Sequence, residues 1–139
     1  MANPVASALE KRVDRGTLPF AVGDVLVISG LLTFGTINHS SVEFVADNPL
    51  YLLGVLAPFL IAWVLVAPLV GAYSAGAGES AKASVPLVVR SWIPADILGV
   101  GLRATPFFEG GAALTFVAVT LVTGVVGLAA WRYLIFLFR

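Results

Sequence analysis

Four apolar stretches, at residues 18–38, 50–73, 85–103 and 111–131, each come close to the ~20 residues a helix needs to cross the hydrocarbon core of a bilayer. No water is available there to bond a free N–H or C=O, so each stretch must satisfy its own backbone as a helix. Their length and lack of strict alternation exclude a barrel of short strands. Composition agrees: only 12% of the residues are charged, with a mean hydropathy of +0.99. A soluble domain usually carries about 25% charged residues to meet water. The sequence therefore predicts an all-α polytopic membrane protein. The first stretch exceeds the roughly 7–15 apolar residues of a cleavable signal, which makes it a retained helix.

The joining segments are short and rich in turn formers: Asp47-Asn48-Pro49, the run SAGAGESAKAS at 74–84, and ATPFFEG around Pro106. Short connections make neighbours antiparallel, which predicts an up-down-up-down four-helix bundle over residues 17–139, behind an N-terminal segment of residues 1–16. Orientation follows the distribution of basic residues. Lys11, Arg12, Arg15, Lys82, Arg132 and Arg139 fall on one side and Arg103 on the other, beside Glu43, Asp47 and Glu109. Both termini are thus expected in the cytoplasm, with Tyr73, Trp131 and Tyr133 in an inner aromatic belt and Tyr51 in an outer one. Val5, Leu9 and Val13 recur at helical spacing, consistent with a short interfacial amphipathic helix or a frayed terminus.

Several functions are excluded at this level. Equal numbers of basic and acidic residues leave no excess for nucleic acid, and the absence of cysteine removes disulfides and thiolate chemistry. A single histidine, His39, cannot form a two-imidazole site, and no catalytic spacing is present. No metal, cofactor or enzymatic activity is expected.

Ionisable residues inside the spans are the best functional pointers, since each costs about 2.5–3.5 kcal/mol at mid-bilayer. Asp24 and Arg90 lie at similar predicted depths in helices one and three. Three readings stand open for them: an ion pair that fixes helix register, a part in a transport path, or an Arg90 that snorkels to the headgroups. Asp96 shares a helical stripe with Trp92, Gly99 and Arg103, and Pro94 frees the carbonyl of Arg90. That stripe reads either as a cavity lining or as a tolerated kink with Asp96 paired to Arg103. Asp24, Arg90, Pro94, Asp96 and Arg103 together form the candidate polar path. His39, ending helix one, is a candidate pH-responsive group on the outer face.

Small residues supply packing faces. On helix one these are Ser29, Thr33, Thr36 and Ser40; on helix four, Ala113, Thr120, Thr123, Gly124 and Gly127. Such faces suit contacts within the bundle or between protomers of a homo-oligomer, a dimer being expected. Four helices of this size enclose little volume, so a dry core or a cavity between protomers is anticipated.

The order and spacing of several residues resemble the prokaryotic membrane family grouped as "domain of unknown function 3054". They are Gly23-Asp24, Gly35 with His39, Ala57-Pro58-Phe59 with Trp63, Trp92, Gly99, Arg103, Phe116, Thr123 and Trp131-Arg132. The likeness runs from about Ala21 to Tyr133. It implies four helices in a prokaryotic plasma membrane, as in halophilic archaea and actinobacteria, and implies no activity. Three functions are left to weigh, the first of them the leading expectation and the other two its alternatives. They are a small channel or transporter for a proton, ion or solute, a structural or assembly subunit bound to a membrane partner, and a lipid- or isoprenoid-binding protein.

Overall fold

The computed structural model describes residues 12–108 and 113–138. Its four long helices are α1 (Leu18–His39), α2 (Pro49–Val70), α3 (Ala81–Arg103) and α4 (Leu114–Leu137). All four are long and apolar enough to cross a membrane. Their outward faces carry residues such as Val22, Leu26, Val64, Leu69 and Val126, each more than 60% exposed. That apolar surface has no counterpart in a protein that meets water, and it suits lipid.

Consecutive helices pack antiparallel, and α4 closes the ring against α1. Around the ring the order is therefore α1, α2, α3, α4, with α1 diagonal to α3. One end of the bundle, here the terminal end, gathers the start of α1, the α2–α3 turn and the end of α4. The far end holds the α1–α2 and α3–α4 connections.

Local chemistry sets boundaries that differ from the hydropathy pattern. α2 stops at Val70 because Gly71 takes a left-handed conformation, φ 109°, and the amides of Gly71 and Ala72 both return to the Ala67 carbonyl. Tyr73 consequently lies beyond the helix. The Ser80 hydroxyl caps α3 by accepting the Ala83 amide at 3.2 Å, so the last part of the expected 74–84 loop, from Ala81 on, is helical. α4 continues to Leu137, six residues past the predicted end, because the sequence there stays apolar. A six-residue helix, Val42–Asp47, fills the α1–α2 connection, capped by Ser41.

Val5, Leu9, Glu109, Gly111 and Arg139 lie outside the described residues. Val13 leaves the expected amphipathic stripe: it forms an isolated parallel bridge with Tyr73. The Asp14 amide and the Thr17 hydroxyl both donate to the Tyr73 carbonyl at 2.7 Å, and Arg12 donates to the Leu69 carbonyl at 2.8 Å. Residues 12–17 thereby clasp the α2–α3 turn.

The core is aromatic. Tyr73, Trp63, Trp92, Phe59 and Phe116 form a continuous file, with successive ring centroids 6.4, 6.2, 6.3 and 5.9 Å apart. Two glycines make room for it. A Cβ on Gly124 would lie 2.0 Å from the Trp92 indole, and one on Gly99 would lie 2.6 Å from the Phe59 ring. The Trp92 indole N–H donates to the Thr120 carbonyl at 3.0 Å, which satisfies its one polar group and ties α3 to α4.

Candidate functional site

Two polar arrangements stand out, one near each end. At the terminal end, Asp24 and Arg132 form a fully buried, two-pronged pair: Nε to Oδ1 at 3.0 Å and Nη2 to Oδ2 at 2.6 Å. Arg132 Nη1 also donates to Ser84 Oγ at 2.8 Å, and both Nη atoms donate to the Ala72 carbonyl at 3.2 Å. Each of the five guanidinium N–H groups thus has an acceptor. Tyr73 Oη donates to Asp24 Oδ2 and accepts from the Trp63 indole, both at 2.7 Å. Burial, and after it the neighbouring Asp24 carboxylate, pushes the Tyr73 phenol up, which keeps it a donor. Phe20 and Tyr73 flank the guanidinium, their centroids 5.0 and 5.5 Å from Cζ.

This network corrects the expected Asp24–Arg90 pair. α1 and α3 are diagonal, and the arginine that reaches Asp24 comes from α4, its ring neighbour. Arg90 is exposed on the outer face of α3, nine residues from its start, beside exposed Lys82, Pro86 and Pro94. Its long stem suits it to reach toward the terminal end. Tyr73 likewise leaves the expected aromatic belt for the core, at 6% exposure. Trp131 is half-buried against Gly23, where a Cβ would lie 1.9 Å from the indole. Tyr133 and Tyr51 are exposed, as belt residues would be. Arg132 escaped the sequence reading because helix four was ended one residue before it. The apolar tail to Phe138 was the signal that the helix continues.

Toward the far end, a cleft of about 580 Å³ opens between α1 and the start of α4, within the usual range of small-molecule sites. It lies in a single chain, where a dry core or an inter-protomer cavity was expected. Leu31, Leu32, Phe34, Val55, Phe116 and Val119 give it apolar walls. Thr36, Asn38, His39, Ser40, Tyr51 and Thr115 contribute polar groups. Arg103, at the end of α3, is the cleft's cation, and none of the described lining residues is acidic. Its guanidinium lies 3.9 Å over the Phe116 ring, and its Nε is buried without a hydrogen-bond partner.

Asp96 does not pair with Arg103. It is fully buried and, among the described residues, both carboxylate oxygens lack a hydrogen-bond partner. The nearby Thr120 hydroxyl commits its proton to the Phe116 and Val117 carbonyls, at 2.9 and 3.1 Å. Thr120 also lines the cleft, so Asp96 sits behind its wall.

The five residues expected along one polar path are therefore dispersed. Asp24 is in the terminal-end network, Arg90 and Pro94 are on the outer face, Asp96 is in the core, and Arg103 is at the cleft. Of the packing residues, Gly124 seats Trp92, while a Cβ on Gly127 would come within 3.1 Å of Val27. Ser29 and Thr33 are half-buried on α1, and the Thr36 hydroxyl donates to the Leu32 carbonyl at 2.8 Å. Thr36, Thr120 and Thr123 all line the cleft. Among the described residues, no group of three or more His, Asp or Glu side chains is placed to hold a metal.

Four apolar helices around a buried ion pair define a four-helix membrane protein. A family model described as "Protein of unknown function (DUF3054)" matches residues 21–135, and the chain belongs to that family. No curated protein and no solved structure matches it.

Proposed function

We propose that this protein binds an amphipathic molecule of the bilayer in the cleft between α1 and α4, and that the Asp24–Arg132 network is a structural clasp. The cleft is the observation that carries this reading: apolar walls, hydroxyls near its mouth and, among the described lining residues, the cation Arg103. The aromatic file argues against a channel along the bundle axis, since it fills the place water would need. Phe34 and Val119, 66% and 54% exposed, continue from the cleft onto the outer surface, so lipid has direct access.

The far end is proposed to face outward from a prokaryotic plasma membrane. With Arg132 assigned to the core, Lys11, Arg12, Arg15, Lys82 and Arg139 still mark the terminal end, against Arg103 alone. A transport reading keeps one supporting observation, the unpartnered Asp96 behind Thr120; loss of substrate flux in Asp96→Asn would favour it.

The test is photo-crosslinking in nanodiscs with a lipid carrying a photoreactive group on its acyl chain, followed by peptide mapping. Labelling is expected to concentrate at Leu31 and Val119. It should be lost there in Gly35→Trp, which fills cleft space left open by the glycine, while labelling at Val64 and Leu69 persists. Equal labelling of cleft and outer-face residues would count against the proposal.

A further inference from the structure

We infer that the cleft's ligand is an acyl-chain molecule with one compact anionic head, a carboxylate or phosphate monoester, held by Arg103. The inference rests on the cleft being a binding site, and it adds the chemical class of the occupant. Three observations converge on it. First, Arg103 has a buried Nε without a hydrogen-bond acceptor. An arginine at the edge of hydrocarbon is costly to leave without a counter-charge, and the described residues supply none: the salt bridge found is Asp24–Arg132. Second, the guanidinium stacks on Phe116 at 3.9 Å. Stacking engages the face of the group and fixes its plane, leaving the N–H donors at the edge for a planar or tetrahedral anion. Third, the described lining residues include no carboxylate, while Ser40, Thr115, Asn38 and Tyr51 are neutral groups able to donate to the same head.

The tail follows from the walls. Along α1 the lining runs from His39 back to Leu31, and along α4 from Thr115 to Thr123. Eight residues of helix correspond to about 12 Å of depth. The head would occupy the Arg103 end and the chain would lie against Leu31, Leu32 and Val119. A soluble anion would use the arginine and leave these walls bare. The continuity of Phe34 and Val119 with the outer surface makes the bilayer the source.

The experiment measures binding to the full-length protein in neutral phosphatidylcholine nanodiscs, using a fluorescent long-chain alkyl phosphate and its uncharged dimethyl ester. The phosphate is expected to bind about tenfold more tightly than the ester, a difference that free inorganic phosphate does not abolish. Arg103→Gln should bring the two to parity by weakening phosphate binding, and Arg103→Lys should keep part of the preference. Equal binding of phosphate and ester by the unaltered protein, which requires no variant to fold, overturns the inference while leaving the cleft reading intact. Absence of binding by either probe above that seen in Gly35→Trp overturns the cleft reading itself. Full competition by inorganic phosphate would overturn the bilayer as the source.

Discussion

Removing one member of the Asp24–Arg132 pair strands the other charge at zero exposure. Breaking such a pair costs about 3–5 kcal/mol, whereas exchanging both partners for apolar residues is often nearly neutral. Asp24→Leu and Arg132→Met are each expected to lower the unfolding free energy in detergent by that amount. In a double-mutant cycle, Asp24→Leu with Arg132→Met should fall well short of the summed single losses; strict additivity would show that the pair is not coupled. Asp96 behaves oppositely. Among the described residues it has no ion-pair partner and both its oxygens lack a hydrogen bond, and an amide is cheaper to bury than a carboxylate. Asp96→Asn should leave the Tm unchanged or raise it, and a marked drop would indicate a partner for the carboxylate. The sequence identified Asp24 as the residue to watch and mistook its partner. Depth below the membrane boundary was the only available guide, and it says nothing about which helices are neighbours.

Helix ends decide how the elements meet. Gly71 turns the chain so that the Ala72 carbonyl and the Tyr73 ring face inward to Arg132 and Asp24. A Cβ in that left-handed conformation costs about 1–2 kcal/mol, so Gly71→Ala should lower thermal stability by that order, with unchanged stability counting against the turn's role. Gly124→Ala collides with the Trp92 indole and should cost about 1–3 kcal/mol through overpacking. The four helices themselves were legible, because uninterrupted apolar length is a strong signal. Their ends were less so: Gly71 and Ser80 act through local geometry inside a run that hydropathy treats as uniform. Hydropathy ended the fourth helix at Trp131, and that misplaced Arg132 outside the bundle.

At the scale of the molecule, the ring order α1, α2, α3, α4 accounts for both the clasp and the cleft. Closing the ring brings α4 against α1 near Asp24, while toward the far end the same two helices line the cleft. Threonines at the cleft looked like packing residues in the sequence, because a small hydroxyl serves a tight helix contact and a cavity wall equally well. The separation of two helices is set by everything packed between their neighbours, here the aromatic file, and no single stretch encodes it. The aromatic file seals the core, so the cleft should open to water toward the far end alone. Because the chain has no cysteine, single-cysteine variants in sealed vesicles test it directly with a membrane-impermeant thiol reagent. Thr36→Cys and Thr123→Cys should react from the far-end side alone, and Ser84→Cys and Trp63→Cys from neither side. Modification of Ser84→Cys, or of Thr36→Cys from both sides, would contradict it.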